Sequence, residues 1–144
     1  LSTIYHGREN CLYLGNLYSK RDWGHAKDFV EMQWLMLQQK KPDDYVIATG
    51  KQYSIKQFIH ECCKYLNWKI FWSGKGLNEI GYIIHNKKKK IIIKVNKRYF
   101  RPNELSYLKG DASLAKRKLN FRPRYDFKKI VREMMEFDFN KNKK

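Results

Sequence analysis

The chain has 144 residues, enough for one domain with a real core and short of two comfortable ones. Hydrophobic residues make up 42% and aromatics 15%, which excludes a disordered chain. Lysine and arginine number 31 against 14 acidic residues, and the net charge of +17 either favours a polyanion or is spread over solvated faces without a partner. Nucleic acid, an anionic membrane and a phosphorylated small molecule all fit the first reading. Apolar runs are short, none near the ~18 residues that span a bilayer. Arg8 and Glu9 break up residues 1–14, so no secretory signal is read there. An opening without Met points to a start inside a longer gene product. Cys11, Cys62 and Cys63 lack zinc spacing, and sequence neighbours rarely bridge, so buried thiols in a reducing compartment are expected.

In chain order, Cys11–Leu14 predicts a short strand ending at Gly15 and Asn16. Ala26, Phe29, Val30, Gln33/Trp34 and Leu37 recur at helical spacing, predicting a helix over His25–Gln39 that Pro42 closes. Tyr45–Ala48 is a compact apolar strand before Gly50. Ser54-Ile-Lys-Gln57 is a capping box. Behind it Ile55, Phe58, Ile59, Cys62, Cys63 and Leu66 form one helical stripe. Lys69–Trp72 predicts a strand and Ser73–Gly76 a loop; Tyr82–Ile84 and Ile91–Ile93 predict strands about the polar turn His85–Lys90. Asp111 caps a short helix through Leu119. Asp126 caps another with the stripe Phe127, Ile130, Val131, Met134 and Met135. The division expected is one unit over residues 1–139 and a frayed polar tail over 140–144. Short strands interleaved with amphipathic helices make the class α/β or α+β, without repeats or an internal linker.

Several features carry no chemistry. Lys87–Lys90 reads as a solvated hairpin turn that blunts a strand edge, because base-stacking aromatics are not interleaved with it. His6, His25, His60 and His85 are scattered, so no metal is expected, and His25 is read as part of a helix start. Gly74-Lys-Gly76 lacks the third glycine of a dinucleotide loop. Tyr-x-x-x-Lys occurs as Tyr65/Lys69 and Tyr125/Lys129, and neither pair is read as catalytic.

Arg21-Asp22-Trp23-Gly24-His25-Ala26-Lys27-Asp28, with Leu14-Gly15-Asn16-Leu17 before it, resembles the GDP-mannose 4,6-dehydratases of the extended short-chain dehydrogenase/reductase superfamily. The likeness runs on through Val46–Gly50, Tyr99-Phe100-Arg101-Pro102 with Glu104, and Val131–Met134, and departs only over Asn78–Asn96. It implies the C-terminal, substrate-binding part of such an enzyme, α/β in class, with the N-terminal Rossmann half missing.

By the same resemblance Arg21 and Arg101 hold the diphosphate of GDP-mannose, a task that suits a planar guanidinium fork, and Glu104 accepts from ribose hydroxyls. The parent is implied to be a cytoplasmic homo-oligomeric lyase that uses NADP bound by the missing half. It would pass hydride from C4 to C6 of the mannose as water leaves, giving GDP-4-keto-6-deoxy-mannose, a precursor of fucose. This chain would hold no catalytic residue, cofactor or metal site, would bind no membrane, and would be inactive alone. Residues 1–10 and one apolar face should be poorly buried without the other half. Two alternatives stay open: a fragment of a related nucleotide-sugar epimerase or dehydratase, and a basic polyanion- or RNA-binding module derived from one.

Overall fold

The computed structural model describes residues 1–105 and 107–143. In chain order the elements are α1 (Ser2–Tyr5), β1 (Leu12–Leu14), β2 (Lys20–Asp22), α2 (Ala26–Leu37), β3 (Gln52–Ser54) and α3 (Ile55–Tyr65). They continue with β4 (Phe71–Ser73), β5 (Ile80–His85), β6 (Lys88–Val95), α4 (Ser113–Leu119) and α5 (Phe127–Lys141). The chain forms two compact units. One comprises Leu1–Ser19, Ser54–Ser106 and Val131–Lys144; the other comprises Lys20–Tyr53 and Tyr107–Ile130.

The first unit is built on a four-stranded sheet in the order β1-β6-β5-β4. β1 runs parallel to β6, whereas β5 is antiparallel to both β6 and β4. The β5–β6 hairpin is longer than its apolar residues foretold. Its turn is Asn86-Lys87 alone, both at positive φ, the geometry that matches strand twist in a two-residue turn. Lys88–Lys90 therefore belong to β6 instead of a loop. Lys89 lays its ammonium 4.1 Å from the Tyr82 ring centroid, so its stem covers apolar surface. β4 starts two residues later than the expected Lys69 and ends on Ser73.

α3 confirms the strongest sequence signal. Ser54 Oγ accepts from Gln57 N at 3.1 Å, and Gln57 Oε1 accepts from Ser54 N at 2.7 Å. Ile59, Cys62 and Cys63 are buried as the stripe requires, while Phe58 is half-buried. Ile59 and Cys63 join Ile4, Leu17, Ile70, Ile83, Ile92 and Ile93 in one core. Burial pushes the Cys62 thiol up to about 11 and the Cys63 thiol to about 12, so both are protonated and inert at neutral pH. Removing the Ser54 hydroxyl frees a first-turn amide. Ser54→Ala is expected to cost about 1 kcal/mol in urea unfolding, and Gln57→Ala less.

Of residues 1–10, Tyr5 and residues 7–10 are exposed as expected, but Ser2 and Ile4 are buried. Ile4 fills the core, Ser2 Oγ donates to Asp138 O at 3.0 Å, and the Tyr5 ring meets Trp68 and Phe139. α5 is capped as predicted, with Asp126 Oδ1 accepting from Lys129 N at 2.8 Å. Of its stripe, Met134 is exposed and the other four residues are buried. The helix continues through Asn140 and Lys141, and Asn142 Nδ2 donates to Ser2 Oγ at 3.2 Å. Lys144 of the expected tail lies outside the described residues.

In the second unit α2 spans the residues foretold, and His25 caps it through Nδ1, which accepts from Lys27 N at 3.0 Å. Its buried face is the one the apolar spacing did not choose. Val30, Trp34 and Leu37 are 63%, 58% and 82% exposed, whereas Asp28 and Met32 are buried. Asp28 decides this, because its Oδ2 accepts from Arg124 N and Tyr125 N, both at 3.0 Å. Met32, four residues on, shares that face; Val30, two residues on, points away. Met32 packs with Ala115, Leu119 and Phe121, and Tyr45 and Ile47 close over them.

Tyr45–Ala48 forms no strand, although its side chains face two ways in turn. Tyr45 and Ile47 face the Met32 cluster, and Val46 and Ala48 lie toward Gly110, so packing holds the segment without a ladder. Asp111 sits one residue outside the α4 cap and accepts from Ser113 N at 2.9 Å as an Asx turn. Among the described residues no helix is long and apolar enough to cross a membrane.

Candidate functional site

In the first unit the sequence brings two distant loops together. Asn16 Nδ2 donates to Arg101 O at 2.9 Å, and Arg101 N donates to Asn16 Oδ1 at 2.8 Å. One side-chain amide thus satisfies both backbone groups of a residue 85 positions away. Behind it Asn96 N donates to Leu14 O at 2.8 Å, extending the β1–β6 ladder. Arg101 is fixed at its backbone while its guanidinium is left 80% exposed. Arg101 Nη1 stands 3.8 Å from Glu104 Oε2, so these two predicted site residues meet, one turn apart after Pro102.

Glu104 lines a cleft of about 290 Å³ with Asn16, Tyr18, Glu79 and Phe100. Glu79 is buried, and its Oε1 accepts from Tyr18 Oη at 2.8 Å and from Lys56 Nζ at 2.6 Å. Burial works against the Lys56 ammonium, but its hydrogen bonds to Glu79 and Tyr18 outweigh that and hold it above the ordinary lysine range. Tyr18 and Glu79 of the lining thus form a closed set with Lys56, and Glu104, also in the lining, has Arg101 beside it. Sequence reasoning did not single out Asn16, Tyr18, Lys56 or Glu79. Their partners lie 23 to 85 residues away, and no local pattern encodes such pairs.

Arg21 lies in the second unit, in β2, where its Nη1 donates to Lys20 O at 2.7 Å. Its neighbour Asp22 accepts from Thr49 N at 3.0 Å and from Gly50 N at 2.8 Å. That tie holds the turn before β3, and Gly50 has the positive φ it needs.

The Gly74–Asn78 turn does not form a dinucleotide-binding loop. Gly74 is required by its own turn, since a Cβ there would stand 2.3 Å from Asn78 O. The turn leads into three residues of 3-10 helix, Gly76–Asn78, which offer no row of amides to a pyrophosphate. Of the Tyr-x-x-x-Lys residues, Tyr125 stacks on His25 at 4.0 Å and Tyr65 meets Phe139 edge-on. Among the described residues no group of three His, Cys, Asp or Glu could hold a metal.

The α/β fold of the chain recurs within larger proteins of known structure. RMD from Pseudomonas aeruginosa complexed with NADPH superposes with a TM-score of 0.73 at 13% identity, over 97% of this chain and 40% of that one. dTDP-glucose 4,6-dehydratase from Bacillus anthracis in complex with NAD gives 0.69 at 17% identity, over 99% and 38%.

Residues 1–134 match the family model described as GDP-mannose 4,6 dehydratase, and the chain belongs to that family. It is 45% identical to the GDP-mannose 4,6 dehydratases of Drosophila melanogaster and Homo sapiens, over 96% of its own length in each case. The Yersinia enterocolitica enzyme is also 45% identical, over 99% of this chain. The chain spans only 34% of the Drosophila protein and 41% of the Yersinia one.

Proposed function

We propose that this chain supplies the nucleotide-sugar grip of a GDP-mannose 4,6-dehydratase, which converts GDP-mannose to GDP-4-keto-6-deoxy-mannose and water. The observation that supports it is the Asn16-clamped Arg101 with Glu104 3.8 Å away at the rim of a cleft. Arg101 is the diphosphate ligand, because a fork fixed at its backbone gives paired hydrogen bonds in a constant direction. Glu104 takes the ribose hydroxyls. Arg21 is assigned to the diphosphate on the family resemblance alone. NADP belongs to a Rossmann half outside these residues, so the chain alone turns over no GDP-mannose. Residues 1–139 act as the substrate-binding portion of a cytoplasmic homo-oligomer.

Arg101→Ala in the full-length enzyme is expected to weaken GDP-mannose binding by about 1.5–3 kcal/mol, the range for a charged hydrogen bond. Arg101→Lys recovers only part of that, since a point charge cannot reproduce the fork. Titration calorimetry decides the matter. An Arg101→Ala enzyme that binds like the parent, or a Lys88→Ala enzyme that loses as much, overturns the assignment.

A further inference from the structure

The second unit carries a cleft of about 410 Å³ that the Arg101 site does not use, and its walls differ in kind from those of the first cleft. Trp23, Tyr53, Tyr125 and Phe127 supply rings, while Lys51, Lys116, Arg122 and Arg124 supply charge. The rings are fixed before any ligand arrives. Tyr53 and Phe127 stack at 4.0 Å, nearly parallel, and Trp23 Nε1 donates to Tyr53 O at 3.2 Å. Tyr125 stacks on His25, and its loop hangs from the Asp28 carboxylate.

The cations divide into two kinds. Arg124 is engaged by Asp28 and Glu31. Lys51, Lys116 and Arg122 are exposed, and among the described residues no hydrogen bond or ion pair engages their side chains. The nearby carboxylates accept hydrogen bonds from other donors, Asp22 from Thr49 N and Gly50 N. Asp126 is the only acid in the lining and caps α5, while Asp111 is held by Ser113. The positive end of the α5 dipole opens on the same cleft through Asp126 and Phe127. A +17 chain scatters lysines widely, but three exposed cations without an ion pair among the described residues, on one concave, ring-lined wall, are a local arrangement.

We propose that this cleft is a second binding site, for a small phosphorylated ligand bearing a planar ring, of the nucleoside monophosphate class. Lys51, Lys116 and Arg122 take the phosphate, and the Trp23 and Tyr53 wall takes the ring and sugar. The volume lies in the range of small-molecule sites, and the preformed walls reduce the ordering cost of binding.

The test is amide-shift titration of the 144-residue chain with AMP, and with inorganic phosphate in parallel. Shifts are expected at Thr49, Lys51 and Arg122–Tyr125, with AMP tighter than phosphate. The double variant Lys116→Ala/Arg122→Ala, both at exposed positions, is expected to weaken AMP at least about tenfold, the loss of one charged hydrogen bond. Arg101→Ala should leave these shifts unchanged, which separates the result from the GDP-mannose reading. Absence of shifts at those amides, equal affinity for phosphate, or an unaffected double variant each overturns the proposal. So does an oligonucleotide that binds more tightly with length and moves its shifts to Lys88–Lys90, because that is diffuse polyanion attraction.

Discussion

Asp28→Ala is expected to destabilise the second unit by roughly 2–4 kcal/mol, the cost of leaving two amides without their acceptor. The carboxylate is almost wholly buried, and one oxygen takes the amides of both Arg124 and Tyr125 at 3.0 Å. Among the described residues the other oxygen makes no hydrogen bond, and Arg124 Nε stands 3.6 Å from it. Alanine would leave two buried donors unmet and a void beneath the 122–125 loop, which carries Leu119 and Phe121 into α5. Asp28→Asn keeps an acceptor of the same shape for both amides and should recover more than half of the loss. Hydrogen exchange reads this directly, through protection of the Arg124 and Tyr125 amides in each variant. An alanine variant within about 0.5 kcal/mol of the parent, the scale of an ordinary surface change, would show that the carboxylate does not organise the unit.

That same residue marks where sequence reading succeeds and where it stops. α3 was legible because cap and stripe are local: Ser54 and Gln57 lie three residues apart, and the buried positions repeat every turn. α5 was legible for the same reason. α2 was legible as a helix and misread as a surface, since apolar spacing assigns the inner face to Val30, Trp34 and Leu37, while the real inner face holds an aspartate. A buried carboxylate is stabilised by amides 96 and 97 residues away, which no window of the sequence contains. Tyr45–Ala48 shows the converse failure. Its compact apolar run reads as a strand, but a ladder needs a neighbouring strand, and packing holds it instead. For the candidate site, Arg101 and Glu104 were picked out by the family resemblance, and only their closeness across Pro102 is local. The Asn16 clamp that aims Arg101 was not legible.

Gly15→Ala is the substitution expected to damage the first unit and its site together. Its backbone angle is ordinary, so conformational freedom is not the issue; the space is already filled. A Cβ there would stand 2.0 Å from the Tyr99 carbonyl oxygen, 2.7 Å from its carbon and 3.2 Å from Phe100 N. All three are backbone atoms, which cannot rotate aside as a side-chain tip would. Nor can the segment retreat. On one side Asn96 N is tied to Leu14 O at 2.8 Å, and on the other Asn16 holds both backbone groups of Arg101. Relief requires breaking the clamp or lifting β1 from β6. The expected cost is about 3 kcal/mol, the upper part of the overpacking range, with Arg101 no longer aimed. Gly7→Ala is the control. Gly7 has positive φ but nothing within 4 Å of where a Cβ would stand, so alanine there should cost only about 1 kcal/mol and leave Arg101 in place. Urea unfolding of both variants, with GDP-mannose titration of the same changes in the full-length enzyme, separates the cases. If Gly15→Ala proves as stable as Gly7→Ala and binds GDP-mannose as tightly as the parent, then the two loops are not locked, and the clamp is not what positions Arg101.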